Sequence, residues 1–323
     1  MVAELDLTNY LDAEHLSVLR AMPADLLDLR DIPAARQRFE AALEAMPAVE
    51  LPPEVAISEE LVPGHDPEDP PVRIKIYRPE GLAAGAAALY WIHGGGMVMG
   101  SADQDDSRCA VWAAALGALV VSVDYRLAPE DPYPAPLDDC YAGLVWLASS
   151  SSDLGVDPDL IAIGGASAGG GLAAGLALRA RDAGGPAICY QHLVYPMIDD
   201  RNDTHSSHAI TDPRVWNREA NRLGWAAYLG QSGQGGEVPI YAAPARATNL
   251  KGLPPAYLPV GSLDLFLDEN IDYAQRMLQA GVPVELRVYP GAFHGSNGFA
   301  SRTAISRRWI KDELDAARRG LGG

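Results

Sequence analysis

Three side chains far apart in the chain belong to one kind of chemistry: Ser167, Asp264 and His294. A serine hydroxyl is a weak nucleophile until a neighbouring base takes its proton. Imidazole titrates near neutrality, so it can both remove that proton and return it to a leaving group. A carboxylate on its far side holds the tautomer and stabilises the imidazolium. Ser167 sits in GGASAGG at 164–170, where Gly165-Ala166-Ser167-Ala168-Gly169 matches G-x-S-x-G. That pattern is a strained strand-to-helix turn, and bulky side chains at 165 or 169 would collide with the adjacent strand and helix. Alone it is a weak signal. Here Asp264 follows in Gly261-Ser262-Leu263-Asp264, then His294 in Pro290-Gly291-Ala292-Phe293-His294-Gly295, which gives the order Ser, Asp, His. Asp268 and Glu269, one helical turn further on, read as first-turn charges favoured by the helix dipole, with Asp268 a second candidate for the acid.

A fourth segment, His93-Gly94-Gly95-Gly96, can turn backbone N–H groups toward a developing oxyanion. Gly94, Gly95 and Ala168, the residue after the serine, are the expected donors. His93 and Gly96 read as loop support. Gly169-Gly170-Gly171-Leu172-Ala173-Ala174 also fits G-x-G-x-x-A, but its glycines fall inside the helix after the turn. No acidic residue closes the next strand, so a dinucleotide site is excluded. No GK[ST] follows, which removes a Walker loop as well. His205 and His208 with Asp199, Asp200 and Asp203 read as a polar loop, since HxxH without further ligands at fixed spacing is nonspecific. No metal or organic cofactor is expected.

These residues need a scaffold that brings them to one edge. Runs at 88–92, 119–123, 160–163 and 188–194 are short and almost wholly apolar, as buried parallel strands are. Val72 to Tyr77 alternates like a half-exposed edge strand. Further strands are expected at 256–260 and 284–289, with helices at about 105–116, 136–148, 168–182 and 267–280 and at the C-terminus. Strands alternating with helices predict a mostly parallel, doubly wound α/β sheet whose carboxyl edge gathers the chemistry. Residues 1–50 read as helical segments punctuated by Pro23, Pro33 and Pro47, and the segments LPPEV and VPGHDPEDPP as loops. Segment 200–238 breaks the rhythm and reads as an insertion. Within it, Trp216, Trp225 and Tyr228 fall at helical spacing and are expected to be its core.

The chain has 323 residues, with 43 acidic side chains against 25 basic and a formal charge of −18. That charge would repel nucleic acid and anionic membranes. Residues 160–178 reach the length of a membrane span, but six glycines interrupt them. Cys109, Cys140 and Cys189 form no CxxC pair and no disulfide framework, and the acidic N-terminus has no basic or apolar leader region. A cytoplasmic protein is expected.

With HGGG at 93–96, the chain also carries DYRLAPE at 124–130, GASAGG, DLFLDE at 264–269 and FHG at 293–295. Together these resemble the bacterial hormone-sensitive-lipase-like esterases, and within them the heroin-esterase-like group. The resemblance covers roughly residues 60–319. It implies an α/β-hydrolase fold with a helical cap made of residues 1–50 and 200–238 over a core of 51–199 and 239–323. It further implies a serine carboxylesterase for short- to medium-chain esters, and frequent homodimers. Amide hydrolysis and a catalytically silent binding protein are the alternative functions. Tyr125, Arg126 and Glu130 read as structural. Several positions depart from the family pattern: Ala166 stands where Asp is usual, Met97 where an aromatic ring is common, Asp264-Leu265-Phe266 where DPL is common, and Ser296 follows His294-Gly295 as in only part of the family. Met97 is therefore expected to leave adaptable room beside the oxyanion hole.

Overall fold

The computed structural model describes residues 5–46, 49–233 and 237–322, so Pro47 lies outside the described residues. Helices α1 (Ala13–Ala21) and α2 (Ile32–Glu44) come first, each started by an aspartate cap. Asp12 Oδ1 accepts from Glu14 N at 2.9 Å and Asp31 Oδ1 from Ala34 N at 3.0 Å. The central part runs β1 (Val55–Val62), β2 (Val72–Pro79), β3 (Ala86–Ile92), α3 (Asp106–Leu116), β4 (Leu119–Asp124), α4 (Ala135–Ser149), α5 (Ser151–Leu154), β5 (Val156–Ala166), α6 (Ala168–Ala183) and β6 (Tyr190–Val194). Segment 200–238 carries α7 (His205–Ala209) and α8 (Arg218–Leu229). Then follow β7 (Ala256–Leu263), α9 (Leu267–Gln279), β8 (Val284–Phe293), α10 (Ser296–Phe299) and α11 (Ala304–Gly320).

The eight strands form one sheet in the order β1-β2-β4-β3-β5-β6-β7-β8. β2 runs antiparallel to both β1 and β4, and every other neighbouring pair is parallel. The period-2 pleat sorts β3 between two cores. Ala88, Tyr90 and Ile92 pack in the cluster that includes Leu144 of α4, Leu172 of α6 and Met277 of α9. Leu89 and Trp91 pack in the opposite cluster, with Trp112 of α3 and Trp309 of α11. The doubly wound reading holds, with one correction at the edge. β2 is not an edge strand, because β1 covers it from Val55↔Pro79 to Val62↔Val72. β1, VAISEELV, is exposed along its whole middle. It carries no apolar run because neither of its faces needs one.

His192 of β6 is fully buried among the rings of Trp91, Trp112, Tyr190 and Tyr257, at centroid distances of 6.4, 5.0, 6.1 and 5.0 Å. Neither ring nitrogen finds a partner among the described residues. Burial, with Arg108 adding to it, pushes its pKa down to about 3. A histidine in the unfolded chain protonates near its ordinary value of about 6.5. Between those values the unfolded state binds the proton and the folded state does not, so stability falls as pH falls. The slope from this group approaches ~1.4 kcal/mol per pH unit well below 6.5. Urea midpoints at pH 7 and pH 5 should therefore drop further in the wild type than in His192→Leu. Equal drops would remove His192 as the cause.

Candidate active site

β5 delivers Ser167 into a turn with φ 58° and ψ −119°, immediately before α6. The two glycines flanking it are required by close approach. A Cβ on Gly165 would strike the backbone of Gly169, and one on Gly169 would strike the carbonyl oxygen of Ile92 at the end of β3. Asp264 follows β7 and His294 follows β8, so three strand ends converge. His294 Nε2 lies 2.9 Å from Ser167 Oγ, and His294 Nδ1 lies 2.8 Å from Asp264 Oδ2. The second carboxylate oxygen of Asp264 accepts from Phe266 N at 2.9 Å. Asp264 and Ser167 are buried, and the His294 side chain is 10% exposed.

The imidazole is held on two sides by rings that sequence spacing did not reveal. Tyr195 meets it at 4.6 Å and Phe266 at 5.0 Å, both edge-on. Tyr195 Oη donates to Asn297 Oδ1 at 2.7 Å, Asn297 Nδ2 to Glu313 Oε1 at 2.9 Å, and Arg108 Nη1 to Glu313 Oε2 at 2.6 Å. Burial raises the Glu313 carboxyl above its usual range, against the pull of Arg108. The one local sign at Tyr195 is a positive φ of 34°, which is invisible in a sequence.

The loop after β3 lies against the same serine. A Cβ on Gly94 would sit 3.5 Å from Ser167 Cβ. Gly95 (φ 124°) and Gly96 (φ 64°) turn the chain, and Val98 N and Met99 N donate back to Gly95 O at 3.1 and 3.0 Å. The N–H groups of Gly94, Gly95 and Ala168 have no protein acceptor among the described residues. Gly94, Gly95, Gly96, Ser167 and His294 line one cavity, whereas Ala168 begins α6 behind the serine. His93 is buried, stacks on Tyr125 at 4.1 Å, and donates from Nδ1 to Gly94 O at 2.8 Å. Burial depresses its pKa. Trp216 fills the space over Gly96, where any Cβ would strike its indole.

The cavity measures about 230 Å³. Met22, Leu27, Phe39 and Leu43 from the N-terminal segment line it, with Val215 and Trp216 from segment 200–238. Gln104, Asp105 and Arg108 supply polar wall. One expectation is corrected here. Met97, with φ 60°, is fully buried away from the cavity, and Met99 lines the cavity in its place. Trp216, Trp225 and Tyr228 all pack in the core as expected, and Trp216 also lines the cavity.

The remaining candidates find other work. Asp268 Oδ2 accepts from Ser206 N at 2.7 Å, which ties segment 200–238 to α9, and buried Glu269 accepts from Ile198 N at 3.0 Å, which ties the chain just after β6 to α9. Asp199 pairs with Arg201, Asp200 with Arg246, and His208 with Asp203. Among the described residues no group of three or more His, Cys, Asp or Glu is arranged to hold a metal ion. Arg126 forks onto Asp139, and Tyr125 Oη donates to His93 O at 3.0 Å.

A family model described as "alpha/beta hydrolase fold" matches residues 89–297. The chain is 38% identical to Esterase LipI of Mycobacterium tuberculosis over 88% of its own length and 87% of the relative's. It is 36% identical to Carboxylesterase NlhH of the same species, covering 84% and 85% of the two chains. The solved structure titled "Bacterial Heroin Esterase" superposes with a TM-score of 0.93 at 45% identity, over 98% of this chain and 99% of that one.

Proposed function

Because this chain belongs to the hormone-sensitive-lipase-like esterases of the α/β-hydrolase family and is a serine carboxylic ester hydrolase, we propose that Ser167, His294 and Asp264 carry its reaction on short- to medium-chain esters. The observation that carries this assignment is the unbroken line of contacts, 2.9 Å from Ser167 Oγ to His294 Nε2 and 2.8 Å from His294 Nδ1 to Asp264 Oδ2, opening on one cavity. His294 removes the serine proton as Oγ attacks the ester carbonyl. The oxyanion is received by the N–H groups of Gly94, Gly95 and Ala168, which have no protein acceptor among the described residues. His294 then protonates the departing alcohol, and water repeats the cycle on the acyl-serine. His93 and Gly96 hold the loop that presents the donors.

In this reading residues 1–50 and 200–238 form a cap over a core of 51–199 and 239–323. The apolar side chains that both segments bring to the cavity support that division. The three unpaired cysteines support a reducing cytoplasmic setting. Among the described residues no helix is long and apolar enough to cross a membrane. A homodimer belongs to the same proposal, since β8 pairs on one side only. Sedimentation at micromolar concentration decides between one chain and two.

Hydrolysis of p-nitrophenyl esters from acetate to decanoate tests the substrate range. We expect kcat/KM to peak at short or medium chains and to fall by decanoate, because the cavity is small and roofed by Met22, Leu27 and Trp216. A rate that climbs through decanoate would overturn it.

A further inference from the structure

We propose that Arg36 of α2 is a positioning residue for the oxyanion loop, so that the hole is complete only when this N-terminal helix is seated. The proposal rests on the reading of Gly94 and Gly95 as oxyanion donors. Arg36 lies outside the stretch matched by the family model, and none of the sequence motifs includes it. Its guanidinium reaches across to two carbonyls and one carboxylate. Nε donates to Val98 O at 2.7 Å, Nη2 to Ala128 O at 3.0 Å, and Nη1 and Nη2 to the two oxygens of Glu130 at 2.9 and 2.7 Å. Val98 closes the turn that begins at Gly95, and Ala128 N donates to Met97 O at 2.9 Å. Arg36 therefore grips both sides of the link between the loop after β3 and the 124–130 segment.

The loop needs an outside restraint. Gly95, Gly96 and Met97 hold φ of 124°, 64° and 60° in succession, and for Met97 such backbone is strained and persists only where its surroundings impose it. A planar fork with five donors suits this task, because it fixes several acceptors in one plane where an ammonium fixes a point. Phe39 and Leu43, three and seven residues further along α2, line the cavity. That spacing puts them on the helix face that carries Arg36. One helix thus lines the cavity and holds the loop that presents the oxyanion donors. Loss of the fork should misplace the donors while leaving ground-state contacts in place.

The test compares Arg36→Ala and Arg36→Lys with the wild type on p-nitrophenyl butyrate, together with inhibition by an alkyl trifluoromethyl ketone, whose serine adduct carries an oxyanion. Losing one oxyanion donor costs about 10²–10³ in rate, so we expect kcat to fall by about 10–10² in Arg36→Ala with KM within about threefold. Affinity for the ketone should fall by the same factor as kcat/KM, and millimolar ethylguanidinium should restore part of the loss. Arg36→Lys keeps the pairing with Glu130, so it remains informative if the alanine variant does not fold. It should lose rate in the same pattern. Folded variants with wild-type kcat and ketone affinity, or with the whole loss in KM, would overturn the role of Arg36. A wild type that hydrolyses esters yet ignores the ketone would instead overturn the oxyanion reading beneath it.

Discussion

Ser167→Ala is expected to lower kcat by about 10⁶, since a triad works as a unit and loses nearly all its advantage with its nucleophile. The substitution removes only the oxygen that lies 2.9 Å from His294 Nε2. It leaves the φ 58°, ψ −119° backbone with a side chain of the same Cβ demand, so the strain of the turn is unchanged. The fold around it should persist because Ser167 N donates to Val194 O at 2.9 Å and Ser167 O accepts from Met197 N at 3.0 Å, bonds made by the backbone alone. The residual rate should remain above that of water, because the N–H donors and the cavity still act. Single-turnover release of p-nitrophenol, with a melting curve on the same sample, checks both halves. A folded variant with more than a few per cent of wild-type activity would remove Ser167 from its role.

Asp264→Asn should cost about 10⁴ in kcat with little change in KM, and the geometry says why. One carboxylate oxygen is already committed to the N–H of Phe266 at 2.9 Å, and the other accepts from His294 Nδ1 at 2.8 Å. An asparagine placed here keeps its carbonyl oxygen toward Phe266 N, because only an oxygen can accept there. Its amide nitrogen then faces His294 and donates to Nδ1, which drives the imidazole proton to Nε2. The ring now presents a donor to Ser167 where an acceptor is required. Raising the pH should recover activity as hydroxide replaces the base. Asp268→Asn, by contrast, should cost only stability, since that carboxylate holds Ser206 N. If the two variants lost activity equally, the acid would be misassigned.

The readable features are those set by a residue and its immediate neighbours. Gly165 and Gly169 must be glycine because backbone passes within contact of each, and that demand is written in the motif itself. Asp264 and His294 each follow directly on a strand, so the pleated runs before them announced which sheet edge they occupy. The apolar runs of β3, β4, β5 and β7 were legible for the same reason: burial on both faces removes polar side chains. β1 was not, because its exposed residues place no such constraint on composition.

The features hidden from the sequence depend on how a side chain leaves the backbone or on partners far along the chain. Met97 and Met99 stand two residues apart, and a positive φ at Met97 decides that Met99 lines the cavity while Met97 is buried elsewhere. Tyr195 reaches His294 across 99 residues of chain, and Arg36 reaches Val98 across 62. No local pattern selects such pairs, because an arginine on a helix surface looks the same whether its fork meets water or two carbonyls. The chemistry of the triad is therefore carried by short-range rules that fix residue type and turn, whereas the cavity's shape and the support of its oxyanion loop arise where distant segments pack. Close packing allows one arrangement of those segments, and only the folded chain specifies it.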